Sequence, residues 1–208
     1  MGTEAESMRI GIDFDNTLIG YDGVFLAAAR ERDLLGSGFA GNKQAVRDAI
    51  RLLPDGELAW QQLQGHVYGK GIDGAVMLEG VDAFLRRCRV AGHGVFVVSH
   101  KTEYGHHDPD RVNLRAAALG WMEASGFFAP DAYAIPRENV FFETSRAQKL
   151  RRIAALKCDY FIDDLEEVLT DPDFPPGVNR VLYGAAGTPP GVIICSSWQR
   201  IAETVFDD

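Results

Sequence analysis

The chain has 208 residues, 46% of them apolar and 25% charged, with a formal net charge of −9 at pH 7, the composition of a globular protein with a full core to bury. That acidic balance excludes surfaces that recognise nucleic acid or anionic lipid, because both need concentrated Lys and Arg; a small phosphorylated ligand stays open, since one local cation reverses the field inside a pocket. No stretch approaches the roughly 18 apolar residues of a membrane span, so neither nucleic acid nor membrane is expected as a partner.

In chain order, residues 1–7 (MGTEAES) lack the basic-then-apolar pattern of a secretory signal. They also miss the myristoylation pattern, because Glu6 stands where Ser or Thr is required. They read as a loose leader on a cytoplasmic protein. Next comes IGIDFDNTLIGYD, an apolar run that predicts a strand over Arg9–Phe14 and ends in Asp13 and Asp15. Two residues apart on an extended backbone, these side chains leave on the same side. Burying carboxylates is costly unless something compensates them, and a bound cation is the first suspect. Asn16 and Thr17 supply turn chemistry just beyond.

From Gly20 to about Met77 the pattern is helical only, in VFLAAARERDLLG, NKQAVRDAIRLL and GELAWQQLQGHVYG. A gap of roughly 57 residues is too long for a simple crossover between strands. It predicts a helical subdomain over residues 20–77, inserted after the first strand as a cap, with the core over 8–19 and 78–208. Tyr21, Trp60, His66, Tyr68 and Lys70 are its polar and aromatic candidates for ligand contact.

Beyond the insert, strands are predicted at Gly94–Ser99, Val140–Phe142, Tyr160–Ile162, Arg180–Tyr183 and Val192–Cys195. Their near-continuous apolar character suits strands covered on both faces. Helices are predicted between them: one stopped by Gly92, one capped by Asp108 with Pro109 in its first position, one begun by TSRAQKL, and one begun by SSWQR. The pattern is that of an α/β protein, a Rossmann-like doubly wound parallel sheet. Cys88, Cys158 and Cys195 are widely spaced and read as buried, reduced thiols.

A second acidic pair, Asp163 and Asp164 in CDYFIDDLEEVL, closes another apolar strand. Two strands of one sheet ending in acidic pairs favour a hard cation such as Mg²⁺, which takes oxygen ligands and keeps waters that a phosphate can displace. Three histidines, His100, His106 and His107, follow Ser99 within SHKTEYGHHDPD. They leave three readings open: a second metal, a pocket mouth in which His100 and Lys101 touch substrate, or an exposed loop.

On these residues the sequence resembles the haloacid dehalogenase superfamily. DFDNT is similar to the first motif, VFVVSHK to the second, Lys149 in SRAQKL to the third and YFIDDL to the fourth, in order from about Met8 to Tyr183. The resemblance implies Asp13 as nucleophile, Asp15 as general acid and base, Ser99 as a phosphoryl contact and Lys149 as the balancing cation. It also implies a Mg²⁺ site from Asp13, Asp15 through its backbone carbonyl, Asp163 and Asp164. Lys101 rivals Lys149, which is preferred for its place in the first turns of a helix. Asn16, Thr17, His100 and Lys101 are the candidate substrate contacts.

The implied activity is a Mg²⁺-dependent phosphatase acting on a small phosphorylated metabolite through an aspartyl-phosphate. An acid at Asp15 favours phosphate esters over halides, because halide leaves as an anion without a proton. Two other readings compete. A catalytically silent phosphate-binding module would keep the fold without turnover. A receiver domain is disfavoured by the paired aspartates on the first strand and by the long insert.

Overall fold

The computed structural model describes residues 7–184, 187 and 189–206. Residues 1–6 of the expected leader lie outside the described residues. In chain order the elements are β1 (Arg9–Ile12), β2 (Ile19–Gly20), α1 (Asp22–Glu31), α2 (Lys43–Arg51), α3 (Gly56–Tyr68), β3 (Val76–Met77), α4 (Val81–Ala91), β4 (Gly94–His100) and α5 (Leu114–Ala124). They continue with β5 (Val140–Glu143), α6 (Arg146–Leu156), β6 (Tyr160–Asp163), α7 (Glu166–Leu169), β7 (Asn179–Tyr183), β8 (Ile193–Cys195) and α8 (Trp198–Phe206). Among the described residues no helix is long and apolar enough to cross a membrane.

The chain divides into two compact units. One runs up to Leu18, takes up Met77–His100 and resumes at Gly126; the other comprises Ile19–Val76 and Lys101–Ser125. The first is an α/β unit built on a six-stranded parallel sheet in the order β5-β4-β1-β6-β7-β8. All six expected strands are present. β1 is central, with Ile12 level with Val97 of β4 on one side and Ile162 of β6 on the other.

Both faces of the sheet are covered, which is why the strands read as unbroken apolar runs. On one face Phe96, Val98, Phe161 and Leu182 pack against Leu150, Ile153, Val168 and Leu169 of α6 and α7. Elsewhere in this unit, α4 and α8 meet through Phe84 and Trp198, whose rings lie 5.0 Å apart. The order of strands demands close approach at Gly11, where a Cβ would sit 2.6 Å from the Phe161 ring and 2.9 Å from the Cys158 sulfur. The three cysteines are buried free thiols.

Local signals account for several helix ends. Ser145 caps α6 by accepting from the Gln148 amide (3.3 Å). Gly92 ends α4 in the left-handed region at φ 72°.

The second unit is helical. Asn42 caps α2 through the Ala45 amide (3.0 Å). The helix expected from Asp108 begins instead at Leu114, with Asn113 as its cap on the Ala116 amide (2.9 Å). Asp108 is engaged earlier, accepting from the amides of Asp110 (3.1 Å) and Val112 (3.0 Å) in the preceding turn. Residues 101–125, grouped with the sheet core on sequence, make their compact contacts inside this unit. The Trp121 indole donates to the Ala75 carbonyl (3.1 Å), and a Cβ on Gly105 would lie 2.6 Å from Gly65 Cα of α3. Two short strands within the span read as wholly helical, β2 and β3, pair as a separate two-stranded sheet.

Candidate active site

Strand ends of the α/β unit assemble the site. Asp13 follows β1 directly, and its amide still donates to Ile162 O (2.9 Å), so the ladder between β1 and β6 carries it level with the end of β6. Asp163 is the last residue of β6 and Asp164 the next. Carboxylate oxygens of Asp13, Asp163 and Asp164 lie within 4.8 Å of one another. Lys149, in the first turns of α6, is 2% exposed, and its ammonium donates to Asp13 Oδ1 and Asp163 Oδ2, both at 2.6 Å. The other oxygen of Asp163 accepts from the Leu165 amide (2.9 Å), which fixes the carboxylate plane.

Burial pushes the Asp13 carboxyl up from 3.8 to about 8; Lys149 opposes this, while Asp163, Asp164 and Asp15 push the same way. Burial works against the charge of Lys149 as well. Asp13 and Asp163 together outweigh it and hold the ammonium above the ordinary lysine range. One ammonium is thus shared among more carboxylates than it can neutralise. With all four groups ionised the cluster carries two excess negative charges, and its donors are hard carboxylate oxygens. Charge and donor chemistry both fit a hard divalent cation held by Asp13, Asp163 and Asp164.

The turn after β1 carries Asp15, Asn16 and Thr17. Asn16 takes a left-handed conformation (φ 60°), which Asn tolerates better than most residues. Leu18 N closes the turn on Phe14 O (3.0 Å). The Thr17 hydroxyl donates to Asp164 Oδ1 (3.4 Å), and the Thr17 carbonyl accepts from the Trp198 indole (3.0 Å). Trp198 was not readable as a site residue. It holds the turn from α8, 181 positions along the chain. Gly80 is seated against it, since a Cβ there would lie 2.8 Å from Trp198 Cβ.

Asp15 is half-buried, and its carboxylate is not in the metal-competent group. Ser99 is buried near the end of β4, level with Phe142 of β5. His100 is exposed and donates from Nε2 to Thr144 O (3.1 Å). Lys101 lies in the helical unit, over the Tyr68 ring. His106 and His107 are exposed, and among the described residues no metal-competent group includes a histidine.

No protein-family model matches the sequence, and no curated protein matches it. Solved structures do. Protein tyrosine kinase A from Mycobacterium tuberculosis is similar over 97% of this chain and all of its own length, with a TM-score of 0.64 and 14% identity. A haloacid dehalogenase superfamily hydrolase of subfamily IA from Geobacter sulfurreducens covers 96% of each chain at TM-score 0.60 and 14% identity. A haloacid dehalogenase family hydrolase from Deinococcus radiodurans, crystallised with bound phosphate and sodium, covers 97% of this chain and 96% of its own at TM-score 0.58 and 15% identity. The fold of this chain is that of the haloacid dehalogenase superfamily hydrolases.

Proposed function

We propose that the chain is a Mg²⁺-dependent phosphatase that hydrolyses a small phosphate monoester through an aspartyl-phosphate on Asp13. The observation that carries this reading is the buried Lys149 ammonium bridging Asp13 and Asp163 beside Asp164. A carboxylate attacks a phosphate ester only when mutual repulsion is screened, and these residues gather that screening around Asp13. The fold similarity to a hydrolase that holds phosphate is consistent with it.

When bound by Asp13, Asp163 and Asp164, Mg²⁺ supplies further neutralisation of the phosphoryl oxygens. The rest falls to the chain. Asp13 attacks phosphorus and the bond to the leaving oxygen breaks, while Asp15 gives that oxygen a proton. Water then attacks the acyl phosphate and loses a proton to Asp15, releasing phosphate, freeing the Asp13 carboxylate and returning Asp15 to its protonated form. Dividing one hard displacement into two is the gain from covalent catalysis. Lys149 keeps Asp13 oriented between the steps, and Ser99 is assigned to hold a transferring oxygen. A halide leaving group needs no proton, so the acid at Asp15 favours esters.

Phosphate release from p-nitrophenyl phosphate and a panel of sugar phosphates, nucleotides and phosphorylated acids tests the reading. Turnover is expected with Mg²⁺, to be lost with EDTA and in Asp13→Asn. A folded wild-type protein inert across the panel with Mg²⁺ refutes it.

A further inference from the structure

The last helix, α8, opens with Trp198, which is 1% exposed. Its ring is held on several sides. Phe84 of α4 and Tyr183 of β7 lie 5.0 and 6.0 Å away between ring centroids, and Gly80 abuts its Cβ. A buried indole N–H needs an acceptor, and the one it has is the Thr17 carbonyl, at 3.0 Å. An anchor that cannot turn thus grips the backbone four residues beyond Asp13.

The gripped turn depends on such support. Asn16 holds a left-handed conformation (φ 60°), which persists only where the surrounding structure fixes it. On the far side of Thr17 the Leu18 carbonyl accepts from the Leu78 amide (3.0 Å). Thr17 is fully buried and branched at Cβ, so its hydroxyl points where the backbone aims it. It is aimed at Asp164 Oδ1 (3.4 Å), and the Asp164 carboxylate is gathered with those of Asp13 and Asp163. A continuous path therefore runs from the indole through the Thr17 peptide and hydroxyl to the acidic cluster.

We propose that Trp198 is a positioning residue for the cation centre: it fixes the Thr17 backbone from α8, and through the Thr17 hydroxyl it sets the Asp164 carboxylate for a divalent ion. The inference rests on the reading of Asp13, Asp163 and Asp164 as a cation site. It adds to that site a residue that touches neither ion nor substrate. Partners that orient a ligand in this way typically contribute about 10–100-fold to metal affinity.

Calorimetric titration with Mg²⁺, in the absence of any substrate, tests the proposal apart from catalysis. Trp198→Phe keeps an aromatic ring without the N–H, and Thr17→Val keeps the branched shape without the hydroxyl. Each is expected to bind Mg²⁺ about tenfold more weakly than wild type. Because the two act in series, the double variant is expected to lose about tenfold as well, and not about a hundredfold. Ile201→Ala loosens the packing of the same helix and leaves the indole in place; its Mg²⁺ affinity is expected to stay within about twofold of wild type. Replacing a buried tryptophan can unfold the chain, so the wild-type protein supplies a second measurement. Its Trp198 indole N–H resonance, assigned through its own side chain, is expected to move with the same midpoint as the Asp164 amide during the titration, while those of Trp60 and Trp121 stay in place. Wild type that binds no Mg²⁺ overturns the cation reading and this proposal with it. If wild type binds, then unchanged affinity in a folded Trp198→Phe variant, losses that multiply in the double variant, an equal loss in Ile201→Ala, or an unmoved Trp198 indole resonance overturns the positioning role alone.

Discussion

Asp13→Asn, measured for stability in the metal-free protein, tests the electrostatics of the site directly. Asn keeps the size of the side chain and can still accept from Lys149, but it removes a carboxylate that burial holds at about 8 against an ordinary 3.8. Between those two values the folded chain keeps a proton on Asp13 that the unfolded chain has released. The folded state therefore binds more protons, and its stability falls as pH rises through this window, levelling off above 8. The shift sets a ceiling of about 5–6 kcal/mol, at roughly 1.4 kcal/mol per pH unit. Imperfect hydrogen bonding by the new amide offsets part of it, so a gain of about 2–4 kcal/mol at pH 8 is expected. Near pH 4, where the electrostatic gain vanishes, that hydrogen-bonding deficit remains alone and the variant should be less stable than wild type by about 1–3 kcal/mol. Urea unfolding in EDTA at half-unit pH steps gives the difference curve. A curve flat from pH 4 to 8, or a variant less stable than wild type at pH 8, refutes the reasoning.

Four further outcomes follow from the same geometry. Lys149→Met leaves the buried Asp13 and Asp163 side chains without the ammonium they share, and a loss of about 3–5 kcal/mol is expected at pH 7, measured by urea unfolding. Mg²⁺ binding at pH 7 should displace the proton held on Asp13, so calorimetry in two buffers of different ionisation enthalpy should report release of about one proton, falling towards none by pH 9.5. Asp15→Asn should lower kcat/KM, which reports the first step, by about 10²–10⁴-fold on an alkyl phosphate and by much less on p-nitrophenyl phosphate, whose leaving group needs little protonation. Gly11→Ala puts a methyl against Phe161 and Cys158 and should cost about 1–3 kcal/mol in thermal or urea unfolding without altering metal affinity.

What could be read ahead of the structure was what short-range chemistry encodes. The six strands were legible because a sheet covered on both faces writes itself as apolar runs, and Asp163 stood out by closing one of them. Lys149 was legible from its place after a Ser cap, which fixed it in the first turns of α6. Where two turn signals competed, sequence was a poorer guide. Asp108 followed by Pro109 has the form of a helix start, yet its carboxylate serves a turn and Asn113 caps the helix. Tertiary partners were invisible. Nothing around Trp198 advertises that its indole holds Thr17, and nothing around Gly11 advertises Phe161. The grouping of 101–125 with the helical unit depends on Gly65, Ala75 and Tyr68, residues more than 30 positions away along the chain.

Lys149 is a counterion that the polypeptide brings with it. Because its ammonium already ties β1 to β6 through Asp13 and Asp163, maturation of this centre can precede any encounter with a dissolved ion. On the phosphatase reading proposed above, a newly made molecule would then wait, assembled, until a divalent ion reaches it. Scarcity of the ion would in that case withhold activity while leaving the pool of intact molecules in place.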